Sequence, residues 1–269
     1  MKRLHWTRRA LPALLVLALA FAAKPAAARN SDWGRKHETW NWSGTLAAGK
    51  TLEVFGVNGN IEAVAGSGST VRVVAEKSGR RQDPSEVRIE VVPWEGGVTI
   101  CAVYPGYGNA CEPHSSHSHT RNNDVNVDFH LEVPAGVAVT MRTVNGSVEA
   151  RDLSAPVHAA TVNGHVEIET SKSGDATTVN GSVVATLGKV RASDALEFNT
   201  VNGSITLNLP DDLDADVQGN TVNGGIHSDF PVEVTGRWGP RSVRGTLGRG
   251  GASLHMSTVN GGISLNRSH

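Results

Sequence analysis

A six-residue motif recurs along the second half of this chain and constrains its fold more than any other feature. The motif reads Thr-Val-Asn-Gly, then a small or polar residue, then Val or Ile. It occurs at residues 143–148, 161–166, 178–183, 200–205, 221–226 and 258–263, with a degenerate copy at 56–61. Repetition on this scale indicates a repeat architecture, in which each unit buries its apolar face against the next.

Apolar and polar residues alternate on both sides of each Asn-Gly pair, so each repeat reads as strand, corner, strand with one face buried. Asn-Gly between alternating strands is also a hairpin signal, which would give an antiparallel meander or sandwich. The alternative is a single-stranded, β-helix-like solenoid of two or three short strands per coil. We favour the solenoid, because the first four separations between repeat asparagines are 17 to 22 residues. Stacked coils would place identical side chains about 4.8 Å apart.

Stacking predicts two inward ladders at the corner. Asparagine amides would hydrogen-bond from coil to coil, as in cross-β stacks, and threonine hydroxyls would form a second ladder beside them. The glycine would take the left-handed conformation that a tight corner needs. The last separation, 37 residues between Asn223 and Asn260, is about the length of two repeats, which predicts a repeat whose motif is no longer recognisable. The predicted ladder residues are Asn58, Asn145, Asn163, Asn180, Asn202, Asn223, Asn260, Thr143, Thr161, Thr178, Thr200, Thr221 and Thr258.

The first 28 residues have the pattern of an export signal. A basic start precedes an apolar run at 11–23, and three alanines at 26–28 form a small-residue cleavage site. Removing residues 1–28 takes away five basic residues and no acidic ones, so 25 basic and 26 acidic residues become 20 and 26, a formal charge of −6. That balance argues against nucleic acid as a partner. No later apolar run approaches the length of a membrane span, so we expect an exported protein of the periplasm or cell surface.

The exported part divides into two regions that run continuously into each other. Residues 29–135 form a β-strand region, and residues 136–269 form the repeat solenoid. We expect Trp33, Trp40 and Trp42 to help cover one end of the core. Cys101 and Cys111 are the two cysteines, and in an oxidising compartment they are expected to form a disulfide.

Candidate chemistry is sparse. The loop 112–123 carries His114, His117 and His119, which are close enough in sequence to bind a transition metal, although a solvated polar loop is the favoured interpretation. The chain lacks a Gly-x-Ser-x-Gly motif. Glu149, Glu167 and Glu169 lie on the outward face. Two of them on adjacent coils could act as the acid and the base of a glycoside-cleaving site. Solvated charges that keep the sheet soluble are the ordinary reading, and we expect neither catalytic residues nor a cofactor.

The repeats at 143–263, together with the stretches 98–105, 125–129 and 209–216, carry a resemblance. The chain resembles the bacterial exported β-strand-repeat family of putative adhesins, a domain of unknown function. The resemblance implies an exported, non-enzymatic protein with an adhesin-like binding or structural role in the cell envelope, and it carries no established site residues. The partner would be an unknown protein or glycan. Two alternatives stay open: an envelope enzyme acting on polysaccharide, and a periplasmic metal-binding protein that uses the histidine loop.

Overall fold

A computed structural model describes residues 34–118, 120, 122–236 and 239–268. The predicted export signal and Trp33 lie outside these residues. The described residues belong to one compact unit, Gly34–His269, and the division between residues 135 and 136 stays a prediction. The strands are β1 (Lys36–Thr45), β2 (Thr51–Phe55), β3 (Ile61–Ala65), β4 (Thr70–Gly79), β5 (Arg88–Trp94), β6 (Gly97–Val103), β7 (Ala110–Glu112), β8 (Ser115–His117), β9 (Asn126–Val133), β10 (Ala138–Arg142), β11 (Val148–Leu153), β12 (Val157–Ala160), β13 (Val166–Thr170), β14 (Gly174–Thr177), β15 (Val183–Leu187), β16 (Ala195–Asn199), β17 (Ile205–Pro210), β18 (Ala215–Asn223), β19 (Ile226–Ser228), β20 (Glu233–Thr235), β21 (Arg241–Leu247), β22 (Ala252–Asn260) and β23 (Ile263–Ser268), with a short 3₁₀ helix at Pro84–Glu86.

Two large sheets enclose one apolar core. Sheet A has the order β1-β4-β9-β3-β11-β13-β15-β17-β23-β19, and sheet B has the order β20-β21-β18-β22-β16-β14-β12-β10-β2-β6-β5. Each repeat contributes its first strand to sheet B and its second to sheet A, and successive repeats pair in parallel, as β10 does with β12 and β11 with β13. An Asn-Gly hairpin would instead pair the two strands of one repeat. The solenoid prediction is therefore confirmed, and the meander is wrong.

The core follows directly from the alternation in the sequence. Inward positions of neighbouring coils are in register, so from β3 to β23 one column of sheet A contains only β-branched aliphatic side chains, and Phe129 on β9 continues it at the N-terminal end. Fully burying each contributes about 1.5–3 kcal/mol, and β-branched residues also suit extended backbone. The members of this column that are at most 1% exposed are Ile61, Val148, Val166, Val183, Ile205 and Ile263.

The order of the last two coils in space is the reverse of their order in sequence. Asn260 pairs with Asn202 on one side and with Asn223 on the other, so the final repeat is inserted before the one that precedes it. The prediction of a worn repeat between Asn223 and Asn260 is wrong. The intervening residues form β19, β20 and β21, and β21 pairs antiparallel with β18. Because β21 occupies the outer edge of β18, only its inner edge is open to the returning β22.

The N-terminal end of the solenoid is closed by antiparallel strands. β4 pairs antiparallel with β9 and β1 with β4 in sheet A, while β5 pairs antiparallel with β6 in sheet B. Trp40 and Trp42 on β1 pack against the end of the core, as the sequence predicted. The reversed strand direction ends the parallel stacking of coils. An open parallel edge would otherwise be a template on which further chains could pair.

The repeated asparagines hydrogen-bond from coil to coil, but they do so on the outside. Asn180 Nδ2 donates to Asn163 Oδ1 at 2.8 Å, and Asn202 Nδ2 donates to Asn180 Oδ1 at 2.8 Å. The same bond links all seven asparagines, in the order 58, 145, 163, 180, 202, 260, 223. Six of the seven are exposed. The inward direction was predicted wrongly, because the backbone bends at the asparagine and interrupts the in–out alternation.

The repeated threonines point inward, yet they do not bond to one another. Thr178 Oγ1 donates to the carbonyl oxygen of Gly164 in the preceding coil at 2.9 Å, and Thr200 Oγ1 donates to that of Gly181 at 2.8 Å. Each repeat threonine makes the equivalent bond. The hydroxyl thus supplies a donor to a carbonyl at the corner, where the regular ladder is interrupted. The predicted hydroxyl ladder is wrong.

The repeat glycines are required because the backbones of stacked corners leave no room for a Cβ atom. A Cβ on Gly181 would lie 2.6 Å from the carbonyl carbon of Gly164 and closer still to its oxygen. The φ angle of Gly181 lies outside the left-handed region, although Gly59 (φ 126°) in the first coil lies inside it. The left-handed explanation is therefore wrong for the middle coils. Stacked corners approach so closely that no side chain fits between them.

Replacing Asn180 by alanine removes two exposed amide bonds and is expected to lower stability by about 1–2 kcal/mol. Asn220 is the matched control, because it is exposed on sheet B and its side chain makes no hydrogen bond within the described part of the chain. Asn208 is unsuitable, since it bonds to Thr186 and Asn266. Thermal denaturation of both variants measures the difference, and equal melting temperatures would show that the ladder does not stabilise the fold.

Candidate functional site

The valines of the repeated motif form an exposed strip beside the asparagine ladder. Their exposed fractions are 37–43%, and neighbours are separated by one coil. We call these valines and the ladder asparagines next to them the corner strip. Among the described residues, six of the nine exposed large hydrophobic side chains belong to it, so the apolar surface is concentrated along one line. The six valines are Val144, Val162, Val179, Val201, Val259 and Val222.

The corner strip is covered at its N-terminal end. Val57 occupies the equivalent position in the first coil but is only 7% exposed, because the hairpin of β7 and β8 lies beside it. A disulfide between Cys101 and Cys111 attaches this hairpin to β6, with a Cα–Cα distance of 5.7 Å. The predicted disulfide is thus confirmed. Closing so short a loop contributes about 3 kcal/mol or less.

A buried carboxylate holds the same hairpin from below. Glu53 is 5% exposed although it lies on the outward face of β2. It accepts a hydrogen bond from Thr99 Oγ1 at 2.5 Å and one from the backbone N–H of His114 at 3.0 Å. Its other oxygen lies 2.8 Å from His114 Nδ1. The His114 ring also meets the edge of Trp94, with centroids 4.3 Å apart.

The histidines predicted as metal ligands are only partly described. His114 is directed to Glu53 through Nδ1, and His117 Nε2 lies 3.5 Å from Ser115 Oγ on the same strand. His119 lies outside the described residues. Among the residues that the structure describes, no group of three or more His, Cys, Asp or Glu side chains is arranged to hold a metal ion. Metal binding by this loop stays an alternative to the favoured interpretation, a solvated polar loop.

The glutamates considered as an acid–base pair are placed on the outer face of sheet A. Glu149 and Glu167 are neighbours on adjacent strands, but Glu149 is ion-paired with Arg151. Arg151 also pairs with Glu62 at 2.6 Å. A carboxylate that is held by a guanidinium in this way is suited to maintaining a charged surface rather than to proton transfer.

A cleft of about 220 Å³ lies where the hairpin meets the corner strip. Its lining includes Phe55, Val57 and Val144 from the coils, serines from β8, and Arg142. The guanidinium of Arg142 lies 5.7 Å from the centroid of the Phe55 ring. This cleft, Glu53 and Arg142 were not predicted from the sequence. The signal in the sequence was Phe55, a large apolar residue at an outward position of its coil. The equivalent positions of later coils are occupied by Arg142, Ala160, Thr177 and Asn199.

A family model described as Toastrack DUF4097 matches residues 116–266, more than half of the chain. The chain belongs to this family. The Toastrack DUF4097 match therefore includes the coils from β10 to β23, and the first coil, formed by β2 and β3, precedes it. Comparison with curated proteins finds no match. No helix in the described part of the chain has the length and apolar character needed to cross a membrane.

Three solved structures illustrate the similarities of this Toastrack chain. One is a putative cell adhesion protein from Clostridium sporogenes, with 10% identity, a TM-score of 0.47, and coverage of 86% of this chain and 100% of that one. A putative adhesin from Bacteroides fragilis has 13% identity, a TM-score of 0.35 and coverage of 84% and 96%. A putative lipid binding protein from Parabacteroides distasonis has 11% identity, a TM-score of 0.27 and coverage of 87% and 97%.

The Glu53 contacts predict a pH-dependent stability. Burial raises the pKa of Glu53, but the hydrogen bonds from Thr99 and His114 together lower it by more than burial raises it. The pKa therefore lies below its ordinary value. The carboxylate therefore stabilises the fold above the unfolded-state pKa of about 4.3, and this contribution is lost as the pH falls through the folded-state pKa. We expect Glu53→Gln to cost about 1–3 kcal/mol near pH 7, and the deficit to shrink below about pH 4.

Melting curves from pH 3 to 8 measure this effect. Glu197→Gln is the matched control, since Glu197 is an exposed carboxylate on sheet B without an ion pair among the described residues. A deficit for Glu53→Gln that stays constant over this pH range would contradict the assignment.

Proposed function

We propose that this protein is an exported, non-enzymatic binding module of the cell envelope, which holds an extended protein or glycan along the corner strip. The observation that carries the proposal is the alignment of six exposed valines, each beside a ladder asparagine. Exposed apolar side chains in a continuous row favour an interaction surface. The amides beside them offer donors and acceptors at every coil.

The rigidity of the strip supports a binding role. Each coil is fixed by parallel strand pairing, the asparagine bond and the threonine–glycine bond. A surface that is ordered before binding loses little conformational entropy when a partner docks. Repetition of the same pair of side chains also allows a partner with a repeating backbone to contact several coils, so that weak contacts add up.

Retention of the purified chain on cell-envelope fractions tests the proposal. The test variant replaces Val162, Val179 and Val201 by serine. The control replaces Val184 and Val234 by serine, because these valines are similarly exposed, at 36% and 43%, but lie outside the strip. We expect the strip variant to lose about tenfold in retention, since three apolar contacts are removed, and the control to behave like the parent. Equal retention of all three proteins would reject the strip as the binding surface.

A further inference from the structure

We propose that the cleft between the hairpin and the corner strip binds the carboxylate of an acidic sugar, with Arg142 as the residue that recognises it. The inference rests on the proposed function, because it names the ligand class at the covered end of the same strip. Its starting point is the guanidinium of Arg142, which makes no ion pair with any described residue. Six other arginines are paired with carboxylates: Arg72, Arg88, Arg151, Arg191, Arg249 and Arg267. Arg142 differs from other arginines without an ion pair, such as Arg244, because it lines this cleft.

Arg142 is positioned as well as unpaired. It lies beside Phe55 on the neighbouring strand, and Phe55 is only 4% exposed. A cation over an aromatic face is attracted to it without using any N–H group. The guanidinium therefore keeps all five N–H donors for a ligand, in the planar arrangement that matches a carboxylate with two parallel hydrogen bonds.

The wall of the cleft on the hairpin side offers hydroxyl groups. Ser115, Ser116 and Ser118 line it together with His114. A serine hydroxyl both donates and accepts hydrogen bonds, as the hydroxyls of a sugar do. Ser118 Oγ already accepts one from the backbone N–H of Tyr104 at 3.3 Å, and it keeps its own O–H as a donor. The wall is held in place by the disulfide and by the contacts of His114 with the Glu53 carboxylate, which accepts the hydrogen bond from the His114 backbone N–H. Fixing a loop in advance reduces the entropy that binding costs.

The size of the cleft and the charge of the chain limit the range of possible ligands. A volume of about 220 Å³ is below the ~300–1,000 Å³ of pockets that enclose drug-sized molecules, so the cleft accommodates one small unit. The exported part of the chain has a formal charge of −6, which disfavours anions in general. An anion would therefore be recognised here through local contacts. A neutral sugar would leave Arg142 unpaired, whereas a bare phosphate would fill less of the cleft than a sugar unit does.

The cleft opens toward the rest of the strip. Val57 and Val144 are apolar residues of its lining, and Val144 is also the first exposed valine of the corner strip. An acidic sugar at the end of a polysaccharide would place its carboxylate on Arg142 and direct the following units along the strip. The cleft would thus supply chemical selectivity and the strip additional contact area.

Binding of a galacturonic acid trisaccharide, followed by calorimetry and by chemical shifts of the parent chain, tests this assignment. The neutral galactose trisaccharide and inorganic phosphate are the comparison probes. We expect the neutral trisaccharide to bind at least about tenfold more weakly than the acidic one, because a hydrogen-bonded charge pair is lost. Phosphate is expected not to displace the acidic trisaccharide. Equal binding of the two trisaccharides, or displacement by phosphate at equal concentration, would overturn the proposal.

Variants locate the interaction. Arg142→Gln is expected to lose about tenfold or more in affinity for the acidic trisaccharide, and Arg142→Lys to fall between it and the parent, because the charge remains but the planar fork is lost. Arg244→Gln is the matched control, since Arg244 is exposed on sheet B at the other end of the solenoid without an ion pair in the described chain. Unchanged affinity in Arg142→Gln would overturn the inference. Envelope retention that still depends on the strip valines would then leave the proposed function intact.

Discussion

Gly181→Ala is expected to destabilise the protein by about 4 kcal/mol or more, the largest effect of any single substitution considered. The new Cβ would lie 2.6 Å from the carbonyl carbon of Gly164 and 3.1 Å from the backbone nitrogen of His165. Both atoms belong to the backbone of the preceding coil, whose position is fixed by its own stacking. The clash therefore cannot be relieved by a side-chain rotation, and the two corners must separate. Urea denaturation followed by circular dichroism measures the loss.

Gly225→Ala is the matched control for this prediction. Gly225 follows the Asn-Gly pair of the outermost coil, and a Cβ there would meet only Arg241 Nη1 at 3.5 Å. The same chemical change is expected to alter stability by no more than about 1 kcal/mol, the usual range for a glycine whose conformation alanine can adopt. Comparable destabilisation of the two variants would show that close approach at the corner does not select glycine.

Thr178→Val is expected to cost about 1–3 kcal/mol, because it preserves the shape of the side chain while removing the donor to the Gly164 carbonyl. Thr178 is 2% exposed, and its Oγ1 lies 2.9 Å from that oxygen. Water has little access to replace the lost bond. For a chain of this length the loss corresponds to a melting temperature lower by about 2–12 °C.

Thr206→Val provides the comparison for Thr178→Val. Thr206 lies in the same solenoid on the outward face of β17, and its hydroxyl makes no hydrogen bond within the described residues. Valine is at least as well suited to a strand as threonine, so we expect little change. Equal melting temperatures for the two variants would mean that the threonine–glycine bond contributes nothing measurable.

The candidate site was predictable only in part, and the reason is visible in individual residues. The position of Asn180 in a coil-to-coil ladder could be inferred from sequence, because identical residues at regular spacing stack when strands are parallel. Its outward direction could not, since a bend at the corner interrupts the alternation that assigns faces. Cys101 and Cys111 could be paired because the chain contains two cysteines. The burial of Glu53 depends on where the hairpin folds back, which no local pattern specifies.

The amino-acid sequence by itself determined the unit of this fold: a strand, an Asn-Gly corner and a second strand, with one face buried, stacked on copies of itself. These properties depend on interactions between nearby residues and on a period that repeats. Only the tertiary structure decided which coil lies beside which. The coil of Asn260 lies between those of Asn202 and Asn223, because coils with the same corner residues pair equally well with several neighbours. The cleft at Arg142 has the same origin, since its walls come from segments far apart in the chain.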